Sequence, residues 1–165
     1  MRYTTVDSPI GELTLLGDGD GLAGLYMPSQ RYGPECDPAW RRDAAPFADV
    51  ASQLEQYFAG ERTAFDLRLA PRGTPFQQRV WGLLREIPFG ETTTYGALAQ
   101  ALGNPRTVRA VGLANGHNPI SIVVPCHRVI GADGSLVGFG GGLERKRALL
   151  AHEAEVRDGF RASLW

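Results

Sequence analysis

The spacing of apolar residues changes at residues 70–73, and this change constrains the fold more than any other feature of the sequence. Before it, three runs at 2–8, 11–17 and 21–27 are rich in β-branched and apolar residues and are separated by the turn sequences PIG and GDGDG. Such runs predict strands of an antiparallel meander. After it, apolar residues recur at helical intervals. We therefore predict an α+β fold, with an N-terminal antiparallel sheet and a mostly helical C-terminal part.

One helix is predicted within the N-terminal part. Apolar residues from 46 to 59 follow helical spacing, and Gly60 is a stop signal. Residues 28–45 are polar and contain proline, so we expect a long loop there. The sequence AFDLRL at 64–69 alternates and predicts a last strand.

Charge is distributed unevenly along the chain. Residues 1–71 carry 6 basic and 11 acidic side chains, net −5, whereas residues 72–165 carry 11 basic and 7 acidic, net +4, in a chain whose total is −1. A basic half is typical of nucleic-acid binding. Charge and apolar spacing change together, so we predict an N-terminal domain of residues 1–72 and a C-terminal domain of residues 73–165.

The C-terminal domain is predicted to contain a helix-turn-helix. Thr74 is suited to cap a helix that has Pro75 at its first position, and Thr94 to cap a short helix over 95–102. A further helix over 106–115 follows the turn sequence GNP. Two short helices joined in this way match a helix-turn-helix, although an ordinary helical hairpin has the same spacing.

The second of these helices carries several small residues. Ala110, Gly112 and Ala114 are small, and glycine within a helix costs about 1 kcal/mol relative to alanine. We interpret them as one face that lets the backbone approach another molecule closely, with Arg109 as a long cation among them.

Membrane and secretory classes are not favoured by this sequence. No apolar run reaches 18 residues, and the N-terminal MRYTTVDSPIG lacks the apolar core of a signal peptide. Cys36 and Cys126 are the two cysteines, they are far apart, and they form no CxxC motif. We therefore expect no disulfide framework and a reducing, cytoplasmic location.

The sequence VVPCHRV places Cys126 between Pro125 and His127. A thiol with an ordinary pKa of about 8.5 is mostly protonated at neutral pH, so a nucleophilic cysteine needs a base or a nearby cation. His127 and Arg128 are candidates. Neighbouring side chains of an extended chain point to opposite faces, so contact between Cys126 and His127 requires a turn or a bridging water. We predict a Cys126 pKa below the ordinary value.

Three other features accompany this cysteine. The last helix offers Glu153 to orient His127, with His152 as the alternative. In GHNP, Asn118 precedes a proline and is suited to brace neighbouring loops. The glycine run in VGFGGGL predicts a backbone that approaches a ligand. Each feature alone is more often structural, as an inert cysteine, a buried histidine or a flexible loop, but together they favour a catalytic site.

Six segments occur in a fixed order over about residues 74–155. They are TPFQQRVW, IPFGETTTYGALA, RAVG, NGHNP, PCHRV and GFGGGLERKRALLAHE. This ordered set strongly resembles the O6-alkylguanine-DNA alkyltransferases, also called methylated-DNA–protein-cysteine methyltransferases. The N-terminal strands and helix are compatible with the first domain of that family and are far less specific.

The resemblance implies a DNA repair protein that flips O6-alkylguanine out of duplex DNA and transfers the alkyl group to its own cysteine once. Cys126 would be the nucleophile, and His127 its base, acting through a water. Glu153 would orient His127, and Asn118 would brace the site. Tyr95 would donate to the guanine ring as it leaves.

The resemblance also implies binding in the minor groove of double-stranded DNA. Arg109 would enter the base stack in place of the flipped guanine. The backbone around Cys126, Val129 and Gly140 would read the guanine edges. The residues assigned to DNA binding are Thr107, Arg109, Ala110, Gly112, Ala114 and Asn115, and those assigned to the substrate pocket are Val129, Phe139 and Gly140.

Two residues depart from the family pattern. Phe139 stands where many members have tyrosine, and Gly140 where some have serine. Some members carry an N-terminal zinc site, but Cys36 has no matching partners, so we predict no metal and no cofactor. We expect a monomer, with cooperative binding along DNA left open.

Three other functions use similar residues. A cysteine hydrolase would also use cysteine, histidine and an acidic or amide partner, but it would turn over repeatedly. A lesion-binding module related to this family would bind alkylated DNA without repairing it, but such modules lack the cysteine. A thiol-redox sensor usually has a resolving cysteine close by, whereas Cys36 lies in the other predicted domain.

Overall fold

The N-terminal part is a four-stranded sheet. The computed structural model describes residues 1–34 and 36–163. The strands are β1 (Arg2–Val6), β2 (Leu13–Asp18), β3 (Gly21–Tyr26) and β4 (Arg41–Arg42). Their order is β3-β2-β1-β4, with β2 antiparallel to both of its neighbours and β4 parallel to β1. The predicted meander is therefore confirmed.

One helix covers this sheet. Helix α1 (Ala48–Phe58) buries Val50, Leu54 and Tyr57, which share one face. It ends just before Gly60, which has a φ of +77°, a conformation that glycine adopts without steric strain. Both the helix and its stop signal match the prediction.

Two N-terminal predictions were wrong in part. The expected loop at 28–45 contains β4, which is only two residues long and carries no recognisable strand pattern. The strand expected at 64–69 forms a single bridge, between Leu69 and Leu22 of β3. The amide side chain of Gln53 bonds both the N–H and the C=O of Asp66 at 2.9 Å, so a side chain replaces a neighbouring strand there.

The C-terminal part is mostly helical. Its elements are α2 (Pro75–Leu84), β5 (Thr93–Thr94), α3 (Tyr95–Ala101), α4 (Val108–Gly116), β6 (Val129–Ile130) and α5 (Leu143–Ser163). Helices α3 and α4, which were predicted to form the helix-turn-helix, pack against each other, and β5 pairs parallel with β6. None of the helices within the described residues is long and apolar enough to cross a membrane.

The predicted caps are present. Thr74 accepts from the N–H of Gln77 at 3.1 Å, and the Gln77 side chain accepts from the N–H of Thr74 at 2.9 Å, which completes a capping box. Thr94 accepts from the N–H of Ala97 at 3.1 Å. These bonds satisfy backbone donors that the first turn of a helix leaves unpaired.

The two halves share one core. Leu25 of β3 donates to the Pro119 carbonyl at 2.8 Å, and its own carbonyl accepts from Ser121 at 3.1 Å. The buried Ile120 therefore lies directly beside Leu25 of β3, and Ile122 is buried in the same core. This attachment anchors the segment that leads to Cys126. The sheet and the helices together confirm the predicted α+β class.

Candidate active site

Cys126 follows a tight turn that Asn118 holds. Asn118 Nδ2 donates to the Val124 carbonyl at 2.7 Å, and its Oδ1 accepts from the N–H of Ile120 at 3.0 Å. Between these contacts, the buried Ile122 has a φ of +72°, which is strained for a β-branched residue. One amide side chain therefore ties together both ends of a strained turn just before the thiol.

The structure brings His127 and Glu153 into contact. Cys126 and His127 lie in one short helical turn, with Cys126 4% exposed and His127 completely buried. His127 Nε2 lies 2.6 Å from Glu153 Oε2. The alternative partner, His152, instead has its Nε2 2.8 Å from the Tyr57 carbonyl oxygen. Of the two candidates in α5, only Glu153 contacts the imidazole.

Glu153 is fully buried and accepts hydrogen bonds from four residues. Besides His127, Arg128 donates from Nε to Oε1 at 2.7 Å and from Nη2 to Oε2 at 3.0 Å. The Tyr57 hydroxyl donates to Oε2 at 2.6 Å, and the N–H of Gly90 to Oε1 at 3.2 Å. Burial alone would raise the Glu153 pKa, but bonds and charges of His127 and Arg128 hold it well below its ordinary value.

These contacts determine the tautomer of His127. An ionised carboxylate can only accept, so Nε2 carries the hydrogen and Nδ1 is the acceptor of the neutral ring. Nδ1 is buried and has no hydrogen-bond partner within residues 1–34 and 36–163. Burial lowers the His127 pKa, Glu153 opposes this, and Arg128 and Lys146 lower it further. His127 is therefore neutral near pH 7, with Nδ1 able to accept a proton.

The prediction of a lowered thiol pKa was wrong for the free protein. Burial raises the pKa of Cys126, and this effect outweighs the lowering by a hydrogen bond from Asn118, the charge of Lys146 and a hydrogen bond from Ser121. The sequence shows which cations are near the thiol but not how completely the fold excludes water. In the free protein, Cys126 is a neutral thiol beside a neutral imidazole.

Lys146 is a residue of the site that sequence reasoning missed. It is the only lysine in the chain, it is fully buried, and its Nζ donates to the Val137 carbonyl at 3.0 Å. Burial lowers its pKa to about 8, although the charge of a Cys126 thiolate would raise it. A signal was present, because Lys146, Leu149 and Glu153 recur at helical spacing and form one buried stripe of α5.

Tyr95 and the predicted pocket residues each have a defined contact or degree of burial in the structure. The Tyr95 hydroxyl donates at 3.0 Å to the Val137 carbonyl, which also accepts from Lys146. Val129 is fully buried, and Phe139 is half-buried against the core. The Gly140 carbonyl accepts from the N–H of Arg31 at 2.7 Å, so a loop of the N-terminal half packs against the glycine run.

The residues assigned to DNA binding differ in exposure. Arg109 and Ala110 are exposed, and Gly112 is half-buried; Thr107, in the turn before α4, is half-buried as well. Ala114 and Asn115 are buried.

The assignment of Ala114 and Asn115 to the DNA surface therefore requires correction. The Ala114 carbonyl accepts from Trp81 Nε1 at 2.8 Å, and Asn115 Nδ2 donates to the Cys126 carbonyl at 3.4 Å. Gly112 is two residues from both Ala110 and Ala114, and residues two apart do not share a face of a helix, so the three do not form the single small-residue face that we inferred.

No cluster of three or more histidine, cysteine, aspartate or glutamate side chains is placed to hold a metal ion in the described part of the chain. The absence of a metal and of a cofactor stays a prediction.

Comparison with known families and proteins is consistent with this geometry. A model of the 6-O-methylguanine DNA methyltransferase DNA binding domain matches residues 75–155, and one of the ribonuclease-like domain of the same family matches residues 1–71. The methylated-DNA–protein-cysteine methyltransferase of Mycobacterium tuberculosis H37Rv is 57% identical over 153 residues, covering 93% of this chain and 92% of that protein. The corresponding protein of Methanosarcina acetivorans is 50% identical, with 93% and 98% covered.

Solved structures show the same similarity. The crystal structure of Mycobacterium tuberculosis OGT in complex with DNA superimposes with a TM-score of 0.89 at 54% identity, covering 94% of each chain. A second crystal structure, of the Mycobacterium tuberculosis O6-methylguanine methyltransferase, has a TM-score of 0.84 at 55% identity, with 93% of each chain covered. With its buried cysteine, histidine and glutamate, the chain belongs to the 6-O-methylguanine DNA methyltransferase family.

Proposed function

We propose that this protein repairs O6-alkylguanine in double-stranded DNA by transferring the alkyl group to Sγ of Cys126. The observation that carries this proposal is the placement of a buried thiol next to a buried histidine whose Nε2 is bonded to a buried carboxylate. Residues 73–165 would carry the chemistry, and family membership supports the substrate class.

The reaction is a displacement at a saturated carbon. The Cys126 proton passes through a water to Nδ1 of His127, and the thiolate attacks the alkyl carbon. The S–C bond forms as the C–O6 bond breaks, and the bonding pair remains on the guanine. Tyr95, whose hydroxyl bonds the Val137 carbonyl in the free protein, would turn to donate a hydrogen bond to the ring. The proton that neutralises the guanine anion is, in net terms, the one that left Cys126 and was held on His127. A soft thiolate suits this attack better than an alkoxide would.

The product limits each molecule to one turnover. A thioether has no easy leaving group, and no residue beside Cys126 is equipped to cleave it. Methyl groups transferred should therefore plateau at about one per protein molecule.

Lys146 supports the ionised form of the thiol. The charge of its ammonium lowers the Cys126 pKa, and in a water-poor site such a charge stabilises an anion more strongly than in bulk water. This effect opposes the burial that keeps the resting thiol protonated.

Helix α4 would bind the minor groove. Its exposed side presents Arg109 and Ala110, with Gly112 partly accessible and Thr107 at the preceding turn. A base within a duplex cannot reach a buried thiol, so the guanine must be flipped out, at a cost of a few kcal/mol. Arg109 would fill the vacated stack, and the positive charge of the C-terminal half favours the DNA backbone.

The backbone around Cys126, Val129 and Gly140 would read the edges of the flipped guanine. Phe139 offers a stacking surface without the hydroxyl of the tyrosine that many members have. We further propose a monomer in the cytoplasm, a location supported by two free cysteines, Cys36 and Cys126.

The test is the intact mass of the protein after incubation with a duplex that contains O6-methylguanine. We expect a gain of one methyl group, located on Cys126. Cys126→Ser should gain nothing while still binding the duplex, whereas the control Cys36→Ser should behave as the wild type because Cys36 is exposed and lacks the buried surroundings of Cys126.

Other outcomes identify the competing functions. Binding of the lesion without a mass gain would identify a lesion-binding module. Repeated turnover of ester substrates would identify a hydrolase, and a mass change that a reductant reverses would identify a redox sensor.

A further inference from the structure

The proposed proton relay consists of Cys126, a water, His127 and Glu153. Its glutamate, Glu153, has a partner from the N-terminal domain. Tyr57 lies in α1 and Glu153 in α5, 96 positions later, yet the Tyr57 hydroxyl donates to Glu153 Oε2 at 2.6 Å. Both side chains are completely buried. This bond connects α1 directly to the site that contains Cys126.

Tyr57 is held rigidly as a donor. Its ring meets Phe58 edge-on at 5.0 Å and Phe89 edge-on at 6.0 Å, and it packs against Phe65 at 5.5 Å. Burial raises the pKa of Tyr57 well above its ordinary value, and the charge of Glu153 raises it further. The hydroxyl therefore keeps its proton over the whole working pH range.

Tyr57 and His127 compete for the same oxygen. Oε2 of Glu153 accepts from Tyr57, from His127 Nε2 at 2.6 Å and from Arg128 Nη2 at 3.0 Å. Every donor that bonds a carboxylate stabilises its negative charge and reduces its ability to stabilise a proton elsewhere. A hydrogen bond from Tyr57 therefore weakens the pull of Glu153 on the imidazolium form of His127.

We propose that Tyr57 is a positioning residue of the alkyl-transfer relay, which fixes the Glu153 carboxylate and limits the negative charge that this carboxylate offers to His127. This inference rests on the proposed function. It gives the N-terminal domain a part in the chemistry, because the donor comes from α1 and not from the domain that carries Cys126.

The consequence is an imidazole that stays neutral. The charged or titratable groups that act on His127 are Glu153, which favours its protonation, and Arg128 and Lys146, which oppose it; Cys126 is its neighbour in the chain. Because Glu153 is already bonded to Arg128 and Tyr57, it raises the pKa of His127 by less than burial lowers it. Nδ1 of His127 is then available to accept the thiol proton at neutral pH.

The test is Tyr57→Phe, which removes one oxygen atom and keeps the ring. We expect the pKa of His127, measured by NMR titration of its ring signals, to rise by roughly half a unit or more, because Oε2 of Glu153 loses a donor. The rate of reaction with free O6-benzylguanine, which needs no DNA binding, falls at acid pH as His127 protonates. The pH at which the rate is half its maximum should shift upward by the same amount.

Phe65→Leu is the matched control. Phe65 packs on the Tyr57 ring but makes no polar contact with Glu153. This variant should therefore lose stability without changing the His127 pKa or the pH midpoint of the reaction rate. Site-specific 3-fluorotyrosine at position 57 provides the opposite change, because a more acidic hydroxyl is a stronger donor, and it should lower the His127 pKa.

An unchanged or lowered His127 pKa in Tyr57→Phe would overturn the inference, and so would equal shifts in Phe65→Leu. Should Tyr57→Phe fail to fold, the fluorinated protein decides alone, and an unmoved His127 pKa there would refute the role. Failure of the wild type to take a methyl group from DNA would instead refute the proposed function, and the NMR titration would still report on Tyr57.

Discussion

Replacing Glu153 with glutamine should cost much more stability than replacing an ordinary glutamate on a helix. The carboxylate is fully buried and bonds both Nε and Nη2 of Arg128, at 2.7 and 3.0 Å. Glutamine removes the charge and leaves the buried guanidinium without an anion. Removing one partner of a buried ion pair costs about 3–5 kcal/mol, whereas an exposed pair contributes about 0–1 kcal/mol.

The effect should be measurable by urea denaturation and by thermal melting. For a chain of this size, 1 kcal/mol changes the melting temperature by about 2–4 °C, so Glu153→Gln should melt about 6–20 °C below the wild type. Glu155→Gln is the matched control, since Glu155 is exposed on the same helix. Its free energy of unfolding should change by less than about 0.5 kcal/mol.

A double-mutant cycle then separates the ion pair from the rest of the network. Arg128→Met alone should also destabilise the protein, because Arg128 bonds both Glu153 and the Ile87 carbonyl, the latter at 2.6 Å. With both residues replaced, the loss should be smaller than the sum of the single losses by about 1–3 kcal/mol. A Glu153→Gln protein within 1 kcal/mol of the wild type, or strict additivity in the cycle, would refute the reasoning.

Three further predictions concern the ionisation of Cys126, the role of Arg109 in the base stack and the packing of Gly73 just before α2. Because burial raises the pKa of Cys126, its reaction with iodoacetamide in the free protein should have a pH midpoint above the ordinary thiol value of about 8.5, as followed by mass spectrometry with exposed Cys36 as an internal reference; a midpoint below that value would contradict this. Arg109→Ala should slow repair of duplex DNA while changing the reaction with free O6-benzylguanine far less. Equal losses of rate on the two substrates would show that Arg109 does not fill the place of the flipped base. Gly73→Ala should lower the free energy of unfolding by about 1–3 kcal/mol, since the added Cβ would lie 2.6 Å from Cζ3 of the buried Trp81; a neutral result in urea denaturation would show that the indole can move.

Local signals predicted the local structure well. Thr74 and Thr94 cap their helices because a side-chain oxygen needs only a backbone donor three residues away. The β meander follows from short runs and turn residues for a similar reason. The segment at 64–69 was misassigned because the partner of Asp66 is the side chain of Gln53, and nothing in the alternating pattern reveals that.

The site was only partly predictable, because its decisive contacts connect distant parts of the chain. The contact of Glu153 with His127 could be proposed from residue types, but Tyr57 lies 96 positions before Glu153 and has no local signal of its role. Lys146 could have been found from its place on the buried stripe of α5. The direction of the Cys126 pKa could not, because it depends on burial that only the folded chain creates.

The neutral resting state of the thiol fits a protein that acts once. A thiolate reacts with oxidants and stray electrophiles, and each such event would consume a molecule that cannot be regenerated. Burial keeps Cys126 protonated, while the negative charge of Glu153 is already balanced by Arg128. The cation at Lys146 and the accepting Nδ1 of His127 favour ionisation of the thiol, and only an electrophile that reaches the buried Sγ can react with it. The same burial that opposes thiolate formation therefore restricts the reaction to a base that has been flipped into the site.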